Sequence, residues 1–103
     1  MIRPVAYEVV IKERAVEDLD AMRVYDAARV VAAIRQQLTI EPTVETRNRK
    51  LLPGFVPRFE HELPVWELRV GERRVFYSVD EPARVVHVWA VIVKGRKTSG
   101  ELS

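Results

Sequence analysis

The chain has 103 residues, no cysteine and two histidines, with 48% apolar and 31% charged residues. That composition fits one globular domain over residues 1–103 and excludes a disulfide framework, thiolate metal sites, a cysteine nucleophile and a histidine-rich metal centre. Net charge is only +2, but thirteen of the seventeen basic residues are arginine, the side chain suited to bidentate phosphate contacts.

Met1-Ile2-Arg3-Pro4 carries no apolar signal-peptide core, and no segment approaches the roughly 20 apolar residues of a membrane span. The expectation is a cytoplasmic protein with no membrane partner. In Val5 to Lys12, alternation puts Val5, Tyr7, Val9 and Ile11 on one face of a half-buried strand. Ala15, Leu19 and Met22 then recur at helical spacing. A second helix is predicted from Asp26, an acceptable N-cap, with Val30, Val31, Ile34 and Leu38 as its apolar face and Pro42 limiting it. The two helices read as an antiparallel hairpin, and Tyr7, Tyr25 and Tyr77 read as core.

Thr39 to Pro64 is the least regular stretch, punctuated by Pro42, Pro53, Gly54, Pro57 and Pro64. A connection this long is functional or hides a short strand. It also holds Arg47, Arg49, Lys50 and Arg58 with no acid between Thr46 and Phe59. Residues 94–103 form a basic tail, expected to be flexible, with Lys94, Arg96 and Lys97 within four positions. Two basic clusters are the footprint of a polyanion partner, or merely solvated loops.

Three strands follow the loop. Trp66, Leu68 and Val70 share one face of the first, and Gly71-Glu72 makes a tight hairpin turn. Val75, Tyr77 and Val79 share one face of the second. Arg84 to Val93 is apolar on both faces, with Val86, Val88, Ala90 and Ile92 predicted on one and His87 and Trp89 on the other. The order β-α-α-β-β-β predicts a two-layer α+β domain, an antiparallel sheet with the helix hairpin on one face. Its uncovered face would carry Glu67, Arg69, Arg74, Phe76, His87 and Trp89. Arg69 and Arg74 would be neighbours there, either around a phosphate, with Phe76 and Trp89 stacking on bases, or paired with Glu67. Glu60-His61-Glu62 is no metal site, because alternation sends neighbours apart. No phosphate loop, paired-histidine spacing or nucleophile elbow is present.

Trp66 to Tyr77, WELRVGERRVFY, resembles the signature hairpin of the RelE/ParE toxin superfamily. Val9-Val10-Ile11 with Ala15, Asp18 and Leu19 resembles its first strand and helix, and Lys50-Leu51-Leu52-Pro53-Gly54 its Lys-Leu-x-Gly loop. The likeness runs from about Tyr7 to Lys97. It implies a RelE-like fold and a type II toxin–antitoxin toxin. RelE-like members are metal-independent, ribosome-dependent mRNA endoribonucleases, in which the ribose 2′-OH attacks the adjacent phosphate in line. ParE-like members poison DNA gyrase instead. A third alternative is an inactive relative that only binds antitoxin.

Carried onto this chain, the resemblance implies Lys50 as general base, Arg69 and Arg74 on the scissile phosphate, and Arg96 at the leaving group. Arg47, Arg49, Lys94 and Lys97 would bind RNA, and His87 or His61 would be substitute acid or base. No cofactor or metal is implied. The implied partners are a cognate antitoxin, then ribosome and mRNA or DNA gyrase, with operator DNA bound only through the antitoxin complex. Two positions depart from the pattern: Arg73 stands where tyrosine is usual, and Lys97-Thr98-Ser99-Gly100 after Arg96 holds no aromatic or histidine.

Overall fold

The longest apolar run, VVHVWAVIV, forms the longest strand and has to be covered on both faces. The computed structural model describes residues 6–93. Its elements are β1 (Glu8–Ile11), α1 (Glu13–Asp20), α2 (Val24–Leu38), β2 (Arg49–Leu52), β3 (Val65–Val70), β4 (Arg73–Asp80) and β5 (Val85–Val93). The strands form one sheet in the order β1-β5-β4-β3-β2. This is the expected α+β architecture, with the helix hairpin on one side of the sheet. The basic tail over 94–103 lies outside the described residues.

Two details of the sheet correct the expectation. The proline-rich connection does hide a short strand, β2, which makes a fifth and pairs antiparallel with β3. The sheet is also mixed, since β1 runs parallel to β5 while the other pairs are antiparallel. A parallel neighbour cannot be reached by a tight turn. Here the chain leaves β1 through the whole helix hairpin, a connection long enough for that geometry.

Val30, Ile34 and Leu38, one helical turn apart, are the buried stripe of α2. This helix begins at Val24 rather than after an Asp26 cap, and Asp26 sits in its first turn, where a carboxylate suits the helix dipole. Tyr25, expected in the core, is 74% exposed. Five residues before Val30, it lies about 140° around the helix from that stripe. Tyr77 is fully buried and donates to the Pro42 carbonyl at 2.7 Å.

The faces of β5 also depart from simple alternation. Phe76 pairs with Ala90 but the next residue, Tyr77, pairs with Val88, leaving Trp89 as an extra residue in a bulge. The extra residue shifts the parity. Val86, Val88 and Val91 face the helices, whereas Trp89, Ala90 and Ile92 face the other side. That side is not open. The segment between β2 and β3 folds over it, with the Phe55 and Phe59 rings 5.7 and 5.6 Å from Phe76. Ser78 accepts from Trp89 Nε1 at 3.0 Å and donates to the Glu62 carbonyl, fastening the end of the loop. Phe76 and Trp89 are therefore buried, not exposed for base stacking. No helix among the described residues is long and apolar enough to cross a membrane.

The pairing of β1 with β5 ends at Ile11 and Val88. Beyond it, α1 packs against β5, and Asp18 Oδ2 accepts the Val91 N–H at 2.8 Å while pairing with Arg14 at 3.0 Å. Asp18→Ala should lower the unfolding free energy in urea by about 1–3 kcal/mol, the cost of an unpaired buried donor. Arg14→Ala should lower it by less than about 1 kcal/mol, as for a partly exposed pair. Burial raises the Tyr77 phenol well above its ordinary value of 10.0. Because the folded state holds this proton more tightly, stability is full below that ordinary value and falls as pH rises through it. Tyr77→Phe should flatten that alkaline loss in urea melts taken from neutral to alkaline pH.

Candidate active site

Strand register decides which charges meet. Lys50 lies opposite Glu67, and Glu67 opposite Phe76. Arg69 lies opposite Arg74, and Arg74 opposite Ile92. Phe76 and Ile92 belong to the cluster on the face away from the helices, so Lys50, Glu67, Arg69 and Arg74 share that face. The phenylalanine-bearing loop covers its centre, and the charges lie toward the β3–β4 hairpin end.

Arg74 is 7% exposed. Its Nη1 donates to the Gly71 and Arg73 carbonyls, each at 3.1 Å, and its Nε lies 3.8 Å from Glu67 Oε2. The guanidinium is thus held by the hairpin's own backbone and by one carboxylate. Arg69 and Lys50 are exposed, and as diagonal neighbours on adjacent strands they stand roughly 7–8 Å apart along the sheet. Arg69 is anchored by its backbone, whose N–H donates to the Asn48 carbonyl at 2.7 Å. The arrangement is an inward Arg74–Glu67 pair flanked by two solvent-facing cations. Such a surface can bind a phosphodiester and stabilise charge building on it.

Other sequence candidates lie elsewhere. Arg47 is exposed two residues before β2. Arg49, opposite Leu68, turns to the helix side and donates from Nη1 to the Gln37 carbonyl at the end of α2, with its Nε buried and unpartnered. It satisfies a C-terminal helix carbonyl rather than joining the cationic face. His87 pairs with Ser78, four residues along β4 from Arg74, about 13 Å away at strand spacing. It stacks on Trp89 at 5.7 Å, and its Nδ1 is buried without a partner. His61 holds Nδ1 2.8 Å from the Phe59 carbonyl in the covering loop. Lys94, Arg96 and Lys97 lie outside the described residues. No group of potential ligands able to hold a metal occurs among the described residues. Glu67 was visible in the sequence only as an ion-pair partner. Its central place between Lys50 and Arg74 emerges once β2 is known to be a strand.

A family model described as ParE toxin of type II toxin–antitoxin system, parDE, matches residues 9–97. No curated protein matches significantly. Among solved structures, the RelBE2 toxin–antitoxin complex of Mycobacterium tuberculosis is similar at 26% identity and TM-score 0.69, over 89% of this chain and 95% of that one. The archaeal RelE–RelB complex of Pyrococcus horikoshii follows at 25% identity and TM-score 0.67, over 87% and 97%. An arginine-to-alanine mutant of E. coli toxin RelE in the free state shares the fold at 19% identity and TM-score 0.64, over 94% of each chain.

The two kinds of charge on the face should respond differently to removal. Arg69→Ala should leave stability within about 0.5 kcal/mol, as for an exposed residue. Glu67→Ala should cost about 2 kcal/mol or more, because it strands the enclosed Arg74 guanidinium. Urea unfolding of the two variants beside wild type checks both.

Proposed function

The chain belongs to the ParE toxin family of type II toxin–antitoxin systems, and we propose that it acts as a RelE-like, metal-independent endoribonuclease on messenger RNA in the ribosomal A site. The observation that carries this reading is the placement of exposed Lys50 and Arg69 on one sheet face, either side of the Arg74–Glu67 pair. Lys50 is assigned to accept the proton of the ribose 2′-OH. The 2′-oxygen forms its bond to phosphorus as the bond to the 5′-oxygen breaks, and the departing oxygen takes a proton from water. Arg69, backed by Arg74, binds the non-bridging oxygens, whose charge grows in the transition state. Arg96 is assigned to the leaving 5′-oxygen, and Arg47, Lys94 and Lys97 to flanking phosphates. Neither histidine receives a proton-transfer role, and Arg49 is assigned to the end of α2. The similarity at 25–26% identity to toxins of RelE–RelB type supports the reading, as it supports a cognate antitoxin as the protein partner. The site of action would be the cytoplasm, where ribosomes translate.

A ParE-like gyrase inhibitor is the second reading. The description of the matching family favours it, as does the absence of a histidine from the rows that carry Lys50, Arg69 and Arg74.

The discriminating experiment uses antitoxin-free protein and ribosomes programmed with a defined message. Mapping 5′ ends should show cleavage within the A-site codon, dependent on ribosomes. Arg69→Ala should reduce its rate by about 100-fold or more, as when one charged contact to the developing phosphorane is removed. Intact message with folded wild-type protein, together with inhibited supercoiling by gyrase, would replace this reading with the second.

A further inference from the structure

On the helix side of the β3–β4 hairpin lies a second group of charges that the proposed reaction does not use. A cleft of about 400 Å3 separates the first half of α2 from the hairpin tip, between Asp26 and Arg29 on one wall and Glu72 and Arg73 on the other. Val70 and Val93 also line it and supply its apolar part.

Three features suit this cleft to a carboxylate beside an apolar side chain. Arg73 Nε is buried and has no hydrogen-bond partner. Its Nη2 is 3.7 Å from Asp26 Oδ2, too far for a hydrogen bond. The Arg73 side chain lines the cleft and is partly exposed, so an entering carboxylate can take a charge-assisted bond from its guanidinium. Arg29 reaches the same place from α2, since a Cβ on Gly71 would lie 3.8 Å from Arg29 Nη2. Arg29 has no ion-pair partner among the described residues. Tyr25, 74% exposed, stands one turn before Arg29 on the same side of α2. Tyrosine and arginine are both enriched at protein interfaces.

We propose that this cleft docks a short segment of the cognate antitoxin carrying one acidic residue next to an apolar one. The carboxylate sits between Arg29 and Arg73, the apolar side chain rests on Val70 and Val93, and Tyr25 closes the rim. Asp26 and Glu72 repel a second carboxylate, so the cleft selects a single acid over an acidic run. The proposal rests on membership of the toxin family and not on the ribonuclease reading. Because the cleft lies across the sheet from Lys50 and Arg69, losing it would leave the reacting face intact.

The test titrates fluorescein-labelled antitoxin, the product of the adjoining reading frame, with toxin and follows anisotropy. Arg73→Gln and Arg29→Gln should each weaken binding by about 10-fold or more, while Arg35→Gln, elsewhere on α2, stays within about 2-fold. Wild-type binding tests the partnership itself, and the ratio of variant to wild type tests the cleft. Arg29 is exposed, so Arg29→Gln decides the matter if Arg73→Gln does not fold. If both folded variants bind within 2-fold of wild type, the cleft is not the docking site.

Discussion

β5 is apolar on both faces, and a strand of that kind is stable only if both faces are covered. With two helices among the described residues, one face can be served by helix packing, and Val30, Ile34 and Leu38 of α2 do so. The other face is covered by irregular chain. Phe55 and Phe59 from the connection between β2 and β3 supply what a second helical layer would have supplied. The Trp89 bulge belongs to the same solution. It turns Trp89 and Ala90 together toward the loop, and Trp89 Nε1 finds Ser78 there. The length and proline content of the connection follow from this covering task as much as from its basic residues.

Covering the centre of that face leaves its hairpin end accessible, and this is where Lys50 and Arg69 project. Arg74 shows how the fold restrains a cation beside them. Two backbone carbonyls of the turn and the Glu67 carboxylate hold the guanidinium, so its conformational freedom is removed before any ligand arrives. Preorganised charge of this kind stabilises a developing anion without reorganising at the moment of reaction. Arg69, exposed and free of such restraint, can adapt to a bound anion.

What was legible in the sequence follows from how each signal arises. The β3–β4 hairpin was legible because alternation and a glycine turn are local properties, and so were the helix hairpin and the α+β class. The bulge was not, because β5 is apolar at nearly every position and a parity shift there changes no visible pattern. β2 was hidden because four residues beginning Arg-Lys carry no alternation, and its pairing is supplied by β3. That omission also concealed the difference between Arg49 and Lys50. In a loop they read as one basic cluster. In a strand they point to opposite faces, Arg49 to the end of α2 and Lys50 to the site. His87 entered as a substitute acid or base through the resemblance, and its distance along the sheet from Arg74 becomes visible only with the register.

The same alternation separates Arg73 from Arg74. Adjacent in sequence, they serve different surfaces, Arg74 on the face with Lys50 and Arg73 on the cleft below α2. A slip of one residue would exchange them and invert the whole hairpin. The turn prevents it. Gly71 takes φ +60° and Val70 pairs directly with Arg73, a two-residue connection of the kind that opens with glycine at positive φ. A side chain at Gly71 would be strained in that conformation, so the residue that closes the turn also assigns each arginine its side. The separation of the face that carries Lys50, Arg69 and Arg74 from the cleft beside α2 is therefore a consequence of register, set at one glycine.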